Sequence, residues 1–146
     1  NNDLAEGRFA IEGKPVALTD IRVPVFAVST QRDHVAPLRS VYKIHLFADT
    51  DVTFALASGG HNAGIVSEPG HPRRTYQIAT QKNADKFTPP DEWCAETPSH
   101  DGSWWLEWQK WLAGHSGDKV KPPSMGAAKK GYKPLRDAPG EYVMMK

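Results

Sequence analysis

Two stretches of the chain are apolar on both faces, and a segment with a different periodicity separates them. Residues 23–28 (Val-Pro-Val-Phe-Ala-Val) and residues 52–57 (Val-Thr-Phe-Ala-Leu-Ala) have the pattern of strands buried in a parallel sheet. Between them, apolar residues recur with helical spacing from Pro37 to Leu46. This order predicts a strand–helix–strand unit of an α/β fold, in which both strands run parallel in one sheet.

Two parallel strands do not form a stable sheet on their own. We therefore expect additional strands, supplied by residues outside this chain or by a partner copy in a homodimer. The segment 70–102 is rich in proline and polar residues, and it carries few signals for regular elements. We expect this segment to be irregular.

A second helical pattern follows in the sequence, and its apolar positions are mostly tryptophan. Ser103 is suited to cap this helix and Gly114 to end it. A helix of this length does not persist alone in water, so its tryptophan face is expected to dock on another surface. The predicted docking residues are Trp104, Trp105, Trp108 and Trp111.

The patterns divide the chain into three predicted segments. Residues 1–69 form the strand–helix–strand part, residues 70–117 the irregular segment with the docking helix, and residues 118–146 an extended basic tail.

Two residues with catalytic potential follow the predicted strands. Asp33 lies in the polar turn after the first strand, and His61 lies in the glycine-rich turn after the second. In open α/β sheets this edge binds ligands. An acid that orients a histidine acting as general base makes up two members of a nucleophilic triad. The alternative is that Asp33 is an ordinary turn residue and His61 an ordinary loop residue.

The chain offers no recognisable nucleophile. The elbow pattern Gly-x-Ser/Cys-x-Gly occurs nowhere, and Cys94 lacks flanking glycines and follows the histidine in chain order. The six histidines show no metal-ligand spacing, so we predict no metal site. We predict no cofactor either.

Composition excludes several other classes. With 146 residues the chain suits one domain, and its net charge of +1 argues against a general nucleic-acid binder. No apolar run approaches the ~20 residues that span a bilayer, and no signal peptide is expected. A single cysteine excludes an internal disulfide framework.

Four motifs occur together in one order along the chain. They are Asp33-His34-Val35-Ala36-Pro37, residues 58–66 (Ser-Gly-Gly-His-Asn-Ala-Gly-Ile-Val), residues 102–108 (Gly-Ser-Trp-Trp-Leu-Glu-Trp) and residues 138–143 (Ala-Pro-Gly-Glu-Tyr-Val). In this combination the chain resembles the C-terminal part of a poly(3-hydroxyalkanoate) synthase, of the class I type or a close relative. Two positions depart from the family pattern, Leu38 in place of Trp and Leu106 in place of Pro.

The resemblance implies the C-terminal portion of an α/β-hydrolase fold and an acyltransferase with a Cys-Asp-His triad. It assigns the acid to Asp33, the base to His61 and a supporting role to His34, with the nucleophilic cysteine upstream of this chain. It also implies coenzyme A release from 3-hydroxyacyl-CoA and acyl transfer to a growing polyester, in the cytoplasm at the polyester granule surface. The partners would be the thioester, the polyester chain and the N-terminal part of the synthase. On this view the chain is inactive alone.

Two alternatives remain open at this stage. An upstream serine instead of a cysteine would make the parent protein an esterase or a polyester depolymerase. A non-catalytic module would instead use the tryptophan helix and the basic tail to dock on a partner subunit or a granule.

Overall fold

A four-stranded mixed sheet forms the centre of residues Asn1–His115, and residues Ser116–Lys146 form a second unit. The computed structural model describes residues 2–145. The strands are β1 (Phe9–Ile11), β2 (Lys14–Val16), β3 (Val25–Arg32), β4 (Val52–Gly60), β5 (Thr75–Gln81) and β6 (Ser99–Asp101). The α-helices are α1 (Leu38–Val41), α2 (Ile44–Phe47), α3 (Pro90–Glu96) and α4 (Trp105–Gly114).

Strands β3 and β4 pair in parallel, as the two apolar runs predict. The α/β class is therefore confirmed. Both strands continue past their predicted ends, β3 to Arg32 and β4 to Gly60. Ser29 and Thr30 belong to β3, and they are 2% and 0% exposed. Their polarity suggested a turn after residue 28, and that expectation is wrong.

The connection between β3 and β4 is helical but broken in two. Helices α1 and α2 are each one turn long, and Tyr42 and Lys43 lie between them. The Tyr42 side chain is 1% exposed, and its hydroxyl donates a hydrogen bond to the Thr88 carbonyl at 3.1 Å. The connection thus packs on the sheet through one buried aromatic anchor rather than through a continuous helix.

The segment after residue 70 is not irregular, contrary to expectation. Strand β5 pairs antiparallel with β4 over six residue pairs, and β6 pairs antiparallel with β5. The sheet order is β3-β4-β5-β6, so the further strands that stabilise the parallel pair come from this chain. The first four residues of β5, Thr-Tyr-Gln-Ile, alternate polar and apolar side chains as expected for a half-buried strand, and Ala79 breaks the alternation.

Aromatic residues fill two clusters of the core. Tyr42, Phe54, Leu56 and Trp93 make up the first cluster, with Cys94 packed against it. Ala57, Tyr76 and Trp104 make up the second. Burying one aromatic side chain removes about 150–250 Å² from water, worth roughly 4–6 kcal/mol gross, so both clusters contribute strongly to stability.

Residues 116–145 have little regular structure. Two single-turn 3-10 helices, Ala128–Lys130 and Tyr142–Met144, are present, together with an isolated bridge between Ala127 and Tyr132. Met125, Leu135 and Tyr142 are at least 85% exposed. Among residues 2–145, no helix combines the length and the hydropathy needed to traverse a bilayer.

The buried ring of His45 leads to a prediction about the stability of the fold at acidic pH. Its ring lies 4.4 Å from that of Tyr42 and 5.7 Å from that of Phe54, and its buried Nε2 has no hydrogen-bond partner among the described residues. Burial lowers the pKa of His45 to about 4 from an ordinary value of 6.5. As the pH falls, the unfolded chain therefore takes up a proton on His45 at a higher pH than the folded chain does. The free energy of unfolding should decrease as the pH falls from 6.5 to about 4.

Urea unfolding of the full chain across this pH range measures the effect. The variant His45→Phe should show a weaker dependence of the midpoint on pH, because it removes the group that titrates. Leu46→Phe, at the exposed neighbouring position, introduces the same side chain without removing a titratable group, so this control should keep the original dependence. An unchanged dependence in His45→Phe would contradict the assignment.

Candidate active site at the carboxyl edge of the parallel strands

The register of β3 and β4 brings Asp33 and His61 together. Thr30 pairs with Ala57, which is 27 residues later, whereas Arg32 pairs with Gly60, which is 28 residues later. The shift marks a bulge near the end of β4, where Ser58 and Gly59 together lie opposite Gln31. Asp33 and His61 follow the last pair directly, so each leaves its strand at the same level.

The two side chains are in hydrogen-bond contact. His61 Nδ1 lies 3.0 Å from Asp33 Oδ1 and 2.9 Å from Oδ2. The Asp33 side chain is 7% exposed and that of His61 is 45% exposed. The acid is therefore enclosed, while the imidazole can reach an incoming group from solvent.

The backbone that follows Asp33 holds its carboxylate. The amides of Val35 and Ala36 donate to Oδ1 at 2.9 and 2.8 Å. These two donors were not predicted, although an aspartate accepting from amides two and three residues later is a common turn motif. The Ala36 amide, then the His61 ring and the Val35 amide, lower the pKa of Asp33 to about 2. The carboxylate thus remains charged at any physiological pH.

A negatively charged acid fixes the tautomer of the histidine beside it. With Nδ1 facing the carboxylate, the proton of a neutral ring is held on Nδ1, and Nε2 keeps its lone pair. That nitrogen is free to accept a proton from a thiol, a hydroxyl or water. The arrangement is capable of general-base catalysis, whichever nucleophile is used.

The other candidates occupy different surroundings. His34 is exposed, and the described part of the chain offers its ring no hydrogen-bond partner. Cys94 lies in α3 against the first core cluster, and burial together with nearby Asp91 raises the pKa of its thiol. A protonated, partly buried thiol is a poor nucleophile. Among residues 2–145, no group of three His, Cys, Asp or Glu side chains could hold a metal ion.

The tryptophans of the predicted docking helix contact this chain's own sheet to different degrees. Trp104 is 5% exposed, and its ring stacks 6.2 Å from Phe26. Trp111 meets the same phenylalanine edge-on at 5.7 Å. Trp108 is 41% exposed. Docking of this helix on a partner stays a prediction.

A cavity of about 570 Å³ lies between α4 and the sheet, lined by residues that include Thr53, Ile78, Lys110 and Trp111. Neither Asp33 nor His61 lines this cavity. The candidate site is recognised by the hydrogen bonds between His61 and Asp33.

Comparison with known proteins identifies relatives over essentially the whole chain. The poly(3-hydroxyalkanoate) polymerase of Methylorubrum extorquens is 37% identical over 100% of this chain, which covers 23% of that protein. The polymerase subunit PhaC of Cupriavidus necator is 33% identical over 96% of the chain and is covered to 23%. Polymerase 2 of Ectopseudomonas oleovorans is 33% identical over 90% of the chain, again with 23% of its own length covered. No family model matches.

The chain is homologous to part of the poly(3-hydroxyalkanoate) polymerases, which confirms the resemblance predicted from the four motifs. It spans less than a quarter of the length of the curated relatives it matches.

The hydrogen bonds to Asp33 predict how its titration responds to mutation. Carbon-13 NMR of the carboxyl group in the full chain should show a midpoint at about pH 2, below the ordinary 3.8. His61→Ala should raise this midpoint, because it removes one of the groups that stabilise the charged form. The midpoint should stay below 3.8, since the amides of Ala36 and Val35 remain. A midpoint that does not move would mean that the ring and the carboxylate are not in contact.

Proposed function

Because the chain is homologous to the poly(3-hydroxyalkanoate) polymerases, we propose that it carries the acid and the base of an acyltransferase that makes polyester from 3-hydroxyacyl-CoA. The observation that supports this function most directly is the contact of His61 Nδ1 with both carboxylate oxygens of Asp33. Homology supports the reaction class, and this contact supports the assignment of the two residues.

The proposed cycle begins with activation of a thiol. His61 Nε2 takes the proton of a cysteine, and the thiolate attacks the carbonyl carbon of the thioester. The carbon–sulfur bond to coenzyme A breaks, the proton passes from His61 to the departing sulfur, and coenzyme A leaves as a thiol. An acyl group then remains on the enzyme's cysteine.

The second half of the cycle extends the polymer. His61 Nε2 accepts the proton of a hydroxyl group, whose oxygen attacks the acyl carbon. A new ester bond forms as the bond to the enzyme's sulfur breaks, and the proton restores the cysteine thiol. Asp33 keeps the imidazole oriented and stabilises its positive charge in both halves. His34, adjacent to the acid, is proposed to support its position.

The nucleophilic cysteine is proposed to come from residues outside this chain. The sequence has no elbow pattern, and Cys94 is partly buried with a raised thiol pKa. The proposed partners are therefore the thioester, the polyester chain and the remainder of the polymerase, and no cofactor is required by the cycle. A cytoplasmic location at the surface of a polyester granule suits a water-soluble thioester and an insoluble product.

Substitution in the full-length polymerase that carries this chain tests the two assignments. His61→Ala should reduce coenzyme A release from 3-hydroxybutyryl-CoA to near background, because no other group takes the proton. Asp33→Asn should lower kcat on the order of 10³–10⁴-fold, since the amide favours the wrong imidazole tautomer. His100→Ala, an exposed histidine at the sheet edge, is the control and should retain activity. Substantial activity in His61→Ala rules out the assignment.

The 146-residue chain on its own gives a second test. With Asp33 and His61 but no activated thiol, it should release no coenzyme A from the same thioester. Turnover by the purified chain that survives Cys94→Ala would show that another group in it acts as the nucleophile, and this result would also overturn the proposal. Turnover that is lost in Cys94→Ala would assign the nucleophile to Cys94 and overturn the proposal.

A further inference from the structure

In the loop that carries His61, three backbone carbonyls accept hydrogen bonds from residues outside the loop. Residues 60–66 hold themselves together through hydrogen bonds from the amides of Gly64, Ile65 and Val66 to the carbonyls of Gly60 and Asn62. The carbonyls of Gly64, Ile65 and Ser67 accept their hydrogen bonds from elsewhere in the chain.

Three consecutive side chains supply those hydrogen bonds. Trp104 Nε1 donates to the Gly64 carbonyl at 3.1 Å, and Trp105 Nε1 donates to the Ile65 carbonyl at 2.9 Å. The Ser103 hydroxyl donates to the Ser67 carbonyl. Each donor thus holds a different point of the loop that begins at His61.

The donors are themselves firmly placed. Ser103 and Trp104 are 3% and 5% exposed, and the Ser103 oxygen also accepts from the Trp105 amide at 3.1 Å, which anchors the start of α4. The preceding residue, Gly102, donates its amide to the Arg74 carbonyl at 2.7 Å. The segment from Gly102 to Trp105 is therefore held by both the sheet and α4, independently of its hydrogen bonds to the loop.

The opposite side of the loop rests on the strand that carries the acid. A Cβ atom at Gly64 would lie 2.4 Å from Thr30 Cγ2 and 2.9 Å from the Ser58 carbonyl oxygen, which leaves no room for a side chain. Thr30 is fully buried in β3, three residues before Asp33. The loop is thus held between β3 on one side and the indole donors on the other.

From this arrangement we propose that Ser103, Trp104 and Trp105 are positioning residues for His61. By fixing the carbonyls of residues 64, 65 and 67, they keep the imidazole at hydrogen-bond distance from Asp33. His61 is 45% exposed on its side chain, so packing alone holds it weakly and the loop backbone must do so. The effect of these residues on catalysis rests on the proposed function. Their effect on the position of the imidazole does not depend on which reaction the protein catalyses.

The test removes one donor while keeping an aromatic ring. In Trp105→Phe the ring remains but the N–H that bonds the Ile65 carbonyl is lost. The readout is a long-range ¹H–¹⁵N spectrum of histidine-labelled full chain, which reports the imidazole tautomer through carbon-bound protons. It is recorded at alkaline pH, where imidazole rings are neutral. His61→Ala assigns the signal.

The native chain should show the His61 proton on Nδ1, as contact with Asp33 requires. Trp105→Phe should lose this signature and shift the ring toward the Nε2-protonated form that free imidazoles favour. Trp93→Phe is the matched control, because Trp93 is a similarly large indole in the other core cluster, 7% exposed, and it does not contact the loop. It should lower stability yet keep the signature.

Each remaining outcome decides the inference. A signature that persists in Trp105→Phe overturns it, and so does a signature that is lost equally in Trp93→Phe. If Trp105→Phe fails to fold, 3-benzothienylalanine at position 105 keeps the bicyclic shape without the N–H, and its spectrum is decisive in the same way.

Kinetic measurements on the full-length polymerase test the positioning role separately from the proposed function. In the full-length polymerase, Trp105→Phe should lower kcat by up to ~10²-fold with little change in KM, since a small misplacement of a catalytic group has that effect. A polymerase without activity in its native form, combined with the expected spectra, would reject the proposed function and retain the positioning role.

Discussion

The structure depends on the parallel pairing of β3 with β4, and on the bulge that ends it. Over most of their length the two strands pair residues 27 apart, and at Arg32 and Gly60 the separation becomes 28. Without this shift, the residue after β3 would lie opposite Gly60 and not opposite His61. A one-residue change of register turns every later side chain to the other face of the sheet. The contact between acid and base is therefore decided by backbone pairing, before any side-chain interaction is considered.

The two members of the pair are held by different means, and the difference suits their roles. Asp33 is enclosed, and its carboxylate accepts from two amides of its own turn, so its charge and orientation are fixed by local backbone. His61 must remain accessible to exchange protons, and so it cannot be buried to the same extent. Its position is set instead by the loop that follows it, which lies between Thr30 and the indoles of Trp104 and Trp105. A rigid acid and a supported, accessible base together provide a proton acceptor that needs little reorganisation.

Sequence patterns predicted the parallel pair, the tryptophan helix and the two catalytic candidates, because each leaves a strong local signal. Buried strands are continuous apolar runs, and an acid and a histidine after such runs must meet at one edge of the sheet. The missing features had weak signals or none. Ser29 and Thr30 are polar yet fully enclosed, so their composition indicated a turn where the strand continues. Strand β5 lies in a proline-rich region, where its alternation was outweighed by its neighbours. The bulge lies in β4 at Ser58 and Gly59. Gly59 has a φ of 108°, but in the sequence it indicated only a glycine-rich turn and not a change of register.

The tryptophan helix shows how a correct physical argument can leave the binding surface undecided. A helix of ten residues with an aromatic face must bury that face, and the sequence alone left open which surface covers it. In the structure, Trp104 packs on Phe26 and Tyr76 of the chain's own sheet. An indole differs from other large apolar side chains in carrying one hydrogen-bond donor. In Trp104 and Trp105 that donor reaches the loop of His61, so the same side chains both complete the core and restrain the base. Phenylalanine at these positions could fill much of the same space, but it could not connect the core to the loop. The two successive indoles therefore do more than bury apolar surface, because each also donates a hydrogen bond to the loop of His61.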